Sequence, residues 1–292
     1  MTRPALLLTA LACLPLTAAA EVTLKHKFVE GDTARYVSES DLTTEVGTPG
    51  GRMTTKAKQS QTVTRKVLSV DGDSARVQDT VERIAMDMTT EGGPMKMEIS
   101  WDSENPDGAK GAQAAMIGGM LSPMIGGTIA YTVSPTGEIS DVEVSDAMKA
   151  TLAATGGGDA ETAALSMLDS AFFKLPGGPA KVGDSWSITQ TMPSQTGVIT
   201  MEGPVTVKSV EGDTVTLEAD QDASIDAPAG APMEISMKDS DVKSVTTFDA
   251  SKGRVVKVRT DATFTMEIKV AGQSQEVTTK VEGTVREAGS GE

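Results

Sequence analysis

The sequence predicts an α+β protein, mainly antiparallel β, in which two duplicated β halves form a curved sheet and a helical insertion covers one face. Three observations predict it. Apolar and polar residues alternate over long stretches near both ends of the chain, the period of half-buried strands. Turns of the Asp-Gly type punctuate these stretches and mark hairpins. Between them, apolar residues recur every three to four positions, the spacing of helices with one buried stripe.

Taken in chain order, the first 20 residues read as a secretory signal. Arg3 is their only charge, an apolar run covers Ala5 to Leu16, and Ala18, Ala19 and Ala20 precede Glu21. That arrangement predicts cleavage after Ala20 and export to the periplasm or the medium. The run is shorter than the roughly 20 apolar residues that span a bilayer, so no transmembrane segment is expected in the mature chain. Cys13 is the only cysteine. It has a second reading as the lipid-modified residue of a lipoprotein signal, but apolar sequence continues through Leu14 and Leu16 where a lipoprotein turns polar. Cys13 is therefore expected to leave with the signal, and no disulfide or thiolate site remains.

Residues 21–140 form the predicted N-terminal β half. Ile84, Met86 and Met88 share one phase of an alternation, TTEGGP follows, and Met95, Met97, Ile99 and Trp101 resume it. A hairpin is expected there, with its methionines facing each other. A second hairpin is expected at Ser69-Val70-Asp71-Gly72-Asp73-Ser74. Residues 111–137 carry no charge, and their glycines and Pro123 favour a short buried helix followed by a strand from Thr128 to Ser134. The helical connection is placed at 141–178. Ser145 is expected to cap a helix carrying Met148 and Leu152, and Asp159 one whose stripe is Ala164, Leu168, Ala171, Phe172 and Leu175. The C-terminal β half, 179–288, ends in a hairpin with Phe264, Met266, Ile268 and Val270 in one phase and Val277, Val281 and Val285 after the turn. Two matches in the same order indicate internal duplication: VLSVDGDSARV at 67–77 with VKSVEGDTVTL at 207–217, and FVEGDTARY at 28–36 with AKVGDSWSI at 180–188.

Composition narrows the function. Against 26 Lys and Arg stand 41 Asp and Glu, a formal net charge of −15. Nucleic acid and anionic membranes require basic patches, so neither is an expected partner. His26, the only histidine, lies between Lys25 and Lys27 and reads as a solvated or edge-strand residue, since no nucleophile or second histidine frames it. No nucleophile elbow, phosphate loop or dinucleotide fingerprint occurs. Acid clusters at Asp102, Glu104 and Asp107, at Asp220, Asp222 and Asp226, and at Asp239 with Asp241 lack calcium-loop register and read as solvated loops. No catalytic residue, metal or cofactor is expected. The remaining candidate is a methionine-rich apolar surface, Met86, Met88, Met95 and Met97 with Met116 and Met120, whose flexible thioethers adapt to greasy ligands. The plain alternative for these residues is an ordinary core that uses Met in place of Leu.

KVGDSW at 181–186, YTVSPTGEI at 131–139 and the Gly31-to-Tyr36 run GDTARY resemble a family of exported bacterial β-rich proteins of unknown function. The resemblance implies an extracytoplasmic β domain and carries over no catalytic residue. The layered plan is also similar, in architecture only, to periplasmic lipoprotein carriers. The expectation is an exported, non-enzymatic cell-envelope protein that binds a lipid or other apolar ligand in a Met-lined cleft. The alternative is a structural module with a filled core that binds another envelope protein.

Overall fold

The computed structural model describes residues 21–48, 51–92, 96–156, 159–194, 197–226, 233–270 and 273–289. Cys13 and Met95 lie outside these residues.

The N-terminal half contributes β1 (Val22–Thr23), β2 (Thr33–Thr48), β3 (Gly51–Asp71), β4 (Ser74–Glu91), β5 (Met97–Asp102), helix α1 (Ala114–Leu121), β6 (Thr128–Val133) and β7 (Ile139–Val144). Helices α2 (Asp146–Gly156) and α3 (Ala160–Ala171) follow. The C-terminal half contributes β8 (Pro179–Ala180), β9 (Ser185–Ser194), β10 (Gly197–Glu211), β11 (Thr214–Asp226), β12 (Met233–Asp249), β13 (Arg254–Val270) and β14 (Gln273–Glu287). One large antiparallel sheet runs β7-β6-β4-β3-β2-β14-β13-β12-β11-β10-β9, with β5 also paired to β4 and a separate β1-β8 pair. The two halves are thus a single continuous sheet. Strand β14 is the seam, joined to β13 on one side and β2 on the other.

Both halves share one plan, which the duplicated motifs anticipated. The VDGD turn pairs Asp71 with Ser74 and the VEGD turn pairs Glu211 with Thr214, each followed by a register shift at the equivalent place, Val67/Ser69 and Val207/Ser209. Gly31 and Asp32 exchange backbone hydrogen bonds with Val67 at 3.0 and 2.9 Å. Gly183 and Asp184 do the same with Val207, both at 2.9 Å. Alternation fills the inner face: Ala75, Val77, Tyr131 and Val133 are buried in one half, and Val205, Val207, Val215 and Leu217 in the other.

Helix α3 packs against both edge strands, β7 and β9, so the curled sheet is bridged where its edges approach. Its Asp159 cap accepts from the Thr162 amide at 2.8 Å, as the sequence predicts, and Ala164 and Leu168 are buried. Phe172 and Phe173, just past its end, place one ring in each core: Phe172 with Val77, Tyr131 and Leu152, Phe173 with Leu24, Val205 and Phe248. Ser145 departs from its expected role. Its hydroxyl accepts from the Thr128 amide at 3.0 Å, tying α2 to β6, while its carbonyl receives the Met148 amide. Among the described residues no helix is long and apolar enough to cross a membrane.

Candidate functional site: a cavity on the inner face

A cavity of about 460 Å³ lies between the inner face of the sheet and α3, within the range of small-molecule sites. Its floor comes from the seam region: Ala34, Tyr36 and Ser38 of β2, Val63 and Val67 of β3, Val258 and Thr260 of β13, and Val285 of β14. Met167 and Leu168 of α3, with Phe172, form the roof. One end is closed by the segment 24–28, which threads between two equivalent turns. The His26 amide donates to the Pro135 carbonyl at 2.8 Å and the Lys27 amide to the Gly253 carbonyl at 3.0 Å. Both turns need glycine. Gly137 (φ +86°) and Gly253 (φ +64°) occupy the left-handed region, and a Cβ on Gly253 would lie 2.4–2.5 Å from Lys27 atoms.

His26 is buried at 4 % exposure, which corrects its reading as a solvated or edge-strand residue. The strap forces this by carrying the ring into an aromatic cluster, 5.5 Å from Phe172, 5.9 Å from Phe248 and 6.3 Å from Phe28. Nε2 donates to the Phe173 carbonyl at 3.0 Å. Burial lowers its pKa to about 4, and the carbonyl only partly offsets this, so the ring is neutral at neutral pH.

The cavity also holds charges the composition did not reveal. Arg65 and Asp79 are direct cross-strand partners on β3 and β4 and form a bidentate pair at 2.9 and 2.8 Å. The guanidinium sits 4.1 Å from the Phe172 centroid and 5.1 Å from that of Tyr36. Burial opposes the charge on Arg65, and the Asp79 carboxylate outweighs it, holding the guanidinium pKa above its ordinary value. Arg254 donates to Asp32 at 2.8 Å and Glu287 at 2.7 Å, locking β13, β14 and the entry to β2 together. Each arginine of the cavity is thus already matched by carboxylate.

The sequence-predicted methionines within the described residues, Met86, Met88, Met97, Met116 and Met120, are placed elsewhere, and none of these lines the cavity. Met86, Met88 and Met97 pack with Ile99, Ala114 and Ile117 in a satellite cluster beneath α1. Strands β4 and β5 pair antiparallel as expected, but Met86 opposes Trp101, Met88 opposes Ile99 and Thr90 opposes Met97, so none of these three methionines faces another directly. Met116 and Met120 stand on the outer side of α1, 70 % and 45 % exposed. Of the acid clusters, Asp102 and Glu104 are tied to Arg83, and Asp241 to Lys243. No group of three metal-ligating side chains converges among the described residues. A signal for the true site was present: Arg65 and Asp79 occupy apolar phases, Val63-x-Arg65-x-Val67 and Val77-x-Asp79-x-Val81, on either side of the Gly72 turn.

Fold and site define a curved, open antiparallel sheet with a largely apolar cavity between its inner face and a helix. The chain belongs to DUF6263, a family of unknown function that matches residues 72–288. No curated protein sequence matches it. Among solved structures, a lipovitellin described for its lipid–protein interactions is similar at 8 % identity and TM-score 0.54, over 90 % of this chain. The chain spans 26 % of that structure's length. DynF from the dynemicin pathway of Micromonospora chersina (11 % identity, 97 % of this chain and 92 % of the other) has a TM-score of 0.20. Pseudomonas aeruginosa OccK7 (6 % identity, 88 % and 99 %) has one of 0.27. These last two scores are too low to relate the folds.

Proposed function

We propose that the protein is an exported, non-enzymatic binding protein that holds a lipid or other apolar ligand in the cavity between the sheet and α3. The observation that carries this reading is the cavity itself, about 460 Å³, whose largely apolar surface comes chiefly from seven valines together with Phe28, Ile129, Leu168 and Phe172. A void of that size lined by apolar groups costs stability when empty, because its walls lose packing partners. An occupant restores them. The signal-like first 20 residues support export, and the likeness in fold to a lipid-associated lipovitellin is compatible with an apolar ligand.

The test is titration of the mature chain with a neutral fluorescent apolar probe such as N-phenyl-1-naphthylamine, alongside Ala34→Phe and Val258→Trp. The expected result is saturable binding by the parent and at least about tenfold weaker binding by both variants, with the fold kept. If the parent binds no apolar probe and Ala34→Phe loses the 1–3 kcal/mol typical of overpacking a filled core, the structural-module reading replaces this one.

A further inference from the structure

Beyond the cavity, the inner face of the sheet continues along the strands with unusual sidedness. On β2 the cavity-side phase runs Ser38, Ser40, Leu42, Thr44, Val46. On β14, read in the direction that pairs with it, the phase runs Val285, Gly283, Val281, Thr279, Val277. The partners on β3, from Gln61 to Met53, and on β13, from Val258 to Ile268, extend the same face. None of these positions is charged. The opposite phase carries Glu39, Asp41 and Glu45 on β2, Lys56 and Lys58 on β3, Arg259, Asp261, Glu267 and Lys269 on β13, and Lys280 and Glu282 on β14. In a chain that is 23 % charged, an inner face left bare to water would be expected to share these charges.

Two apolar rows cross this face through direct partners. One is Ala57–Leu42–Val281–Ala262–Val242, and the other Met53–Val46–Val277–Met266–Met237. A band of Gln59, Ser40, Gly283 and Thr260, the last of these already part of the cavity floor, lies between them and the cavity. From Val285 to Val277 the face runs about 26 Å at the ordinary strand rise.

We propose that the half-buried part of this face, around Leu42, Val46, Val281 and Phe264, is a trough leading on from the cavity, and that its occupant is the hydrocarbon chain of a long-chain lipid with an uncharged head. The proposal rests on the cavity-binding reading and specifies its ligand. A flexible acyl chain that fills the cavity need cross only that one uncharged band of small and polar residues to reach the apolar rows. The head is uncharged because each cation lining the cavity already has its partners: Arg65 and Arg254 are neutralised by Asp79, Asp32 and Glu287, and Lys27 Nζ donates to the Ala250 and Ser251 carbonyls. A further carboxylate inside would have to displace one of these partners or remain desolvated.

The experiment is competition of monoacylglycerols with acyl chains of about 8 to 18 carbons against the apolar probe, using the parent, Leu42→Lys and the milder Phe264→Ser, with palmitic acid for comparison. A half-buried methylene contributes about a twofold gain, so affinity is expected to rise on the order of a hundredfold from C10 to C18. Both trough variants flatten that rise while leaving the short-chain affinity unchanged, and palmitic acid binds at least about tenfold more weakly than monopalmitoylglycerol. A plateau at the chain length that fills the cavity, with the probe still bound, overturns the trough and leaves the cavity reading standing. Tighter binding of palmitic acid overturns the uncharged head. A dimer in sedimentation that Leu42→Lys dissociates assigns the face to a second copy and overturns it as well. Failure of every lipid and of the probe removes both readings.

Discussion

Asp79→Asn tests whether the cavity wall is built as described. The side chains of Arg65 and Asp79 are only 16 % and 10 % exposed, and the guanidinium is held on the Phe172 face at 4.1 Å with both its carboxylate bonds under 3 Å. Replacing the carboxylate by a neutral amide leaves a buried cation without its counter-charge. Breaking one partner of a buried pair costs about 3–5 kcal/mol, against 0–1 kcal/mol for a surface pair. The assay is urea unfolding. With m of about 1–3 kcal/mol/M, the midpoint should fall by at least about 1 M with m unchanged. The double variant Arg65→Met/Asp79→Leu removes both charges and should recover most of the loss, since apolar replacement of a buried pair is often neutral or stabilising. A loss under about 1 kcal/mol in Asp79→Asn, or a double variant no better than the single, would refute the claim that this pair is a desolvated part of the wall.

Three further outcomes follow from the same geometry. Burial holds His26 at a pKa of about 4 in the native protein against the ordinary 6.5, so the unfolded chain takes up the proton first. Its contribution is complete above about pH 6.5, declines at up to about 1.4 kcal/mol per pH unit, and is gone below about pH 4, a total of about 3 kcal/mol; His26→Phe should show a shallower loss in that window by chemical unfolding. Gly253→Ala should destabilise the protein by clearly more than Gly212→Ala, because both are left-handed but only a Cβ on Gly253 collides with Lys27, and thermal unfolding of the pair reads the difference. Asp159→Ala removes the only side-chain cap of α3 seen among the described residues and should cost about 1 kcal/mol by urea unfolding, with little change in probe affinity.

Much of the fold was legible because its signals are local. The Asp71-Gly72 and Glu211-Gly212 turns, the alternation through Val77 and Leu217, and the stripe of α3 all depend on residues close in sequence. The union of the halves through β2 and β14 was not legible, because Leu42 meets Val281 across most of the chain and no local pattern announces a non-local register. The site was hidden for a related reason. Apolar methionines at 86, 88 and 97 look the same in sequence whether they line a void or, as here, pack beneath α1. His26 looked solvated because its neighbours are lysines. Its burial is imposed by Pro135, Phe173 and Gly253, which lie far along the chain. Arg65 and Asp79 were the readable clue, opposite charges in the apolar phase of two strands whose hairpin register was already set by Gly72.

The central claim, that the cavity holds an apolar ligand, is tested most directly by native mass spectrometry of the protein isolated from the cells that make it, with extraction of whatever accompanies it. The account predicts an added mass that organic extraction recovers as a long-chain, uncharged lipid and that Val258→Trp removes. A clean apo mass in both proteins, with no uptake of apolar probes, would contradict it.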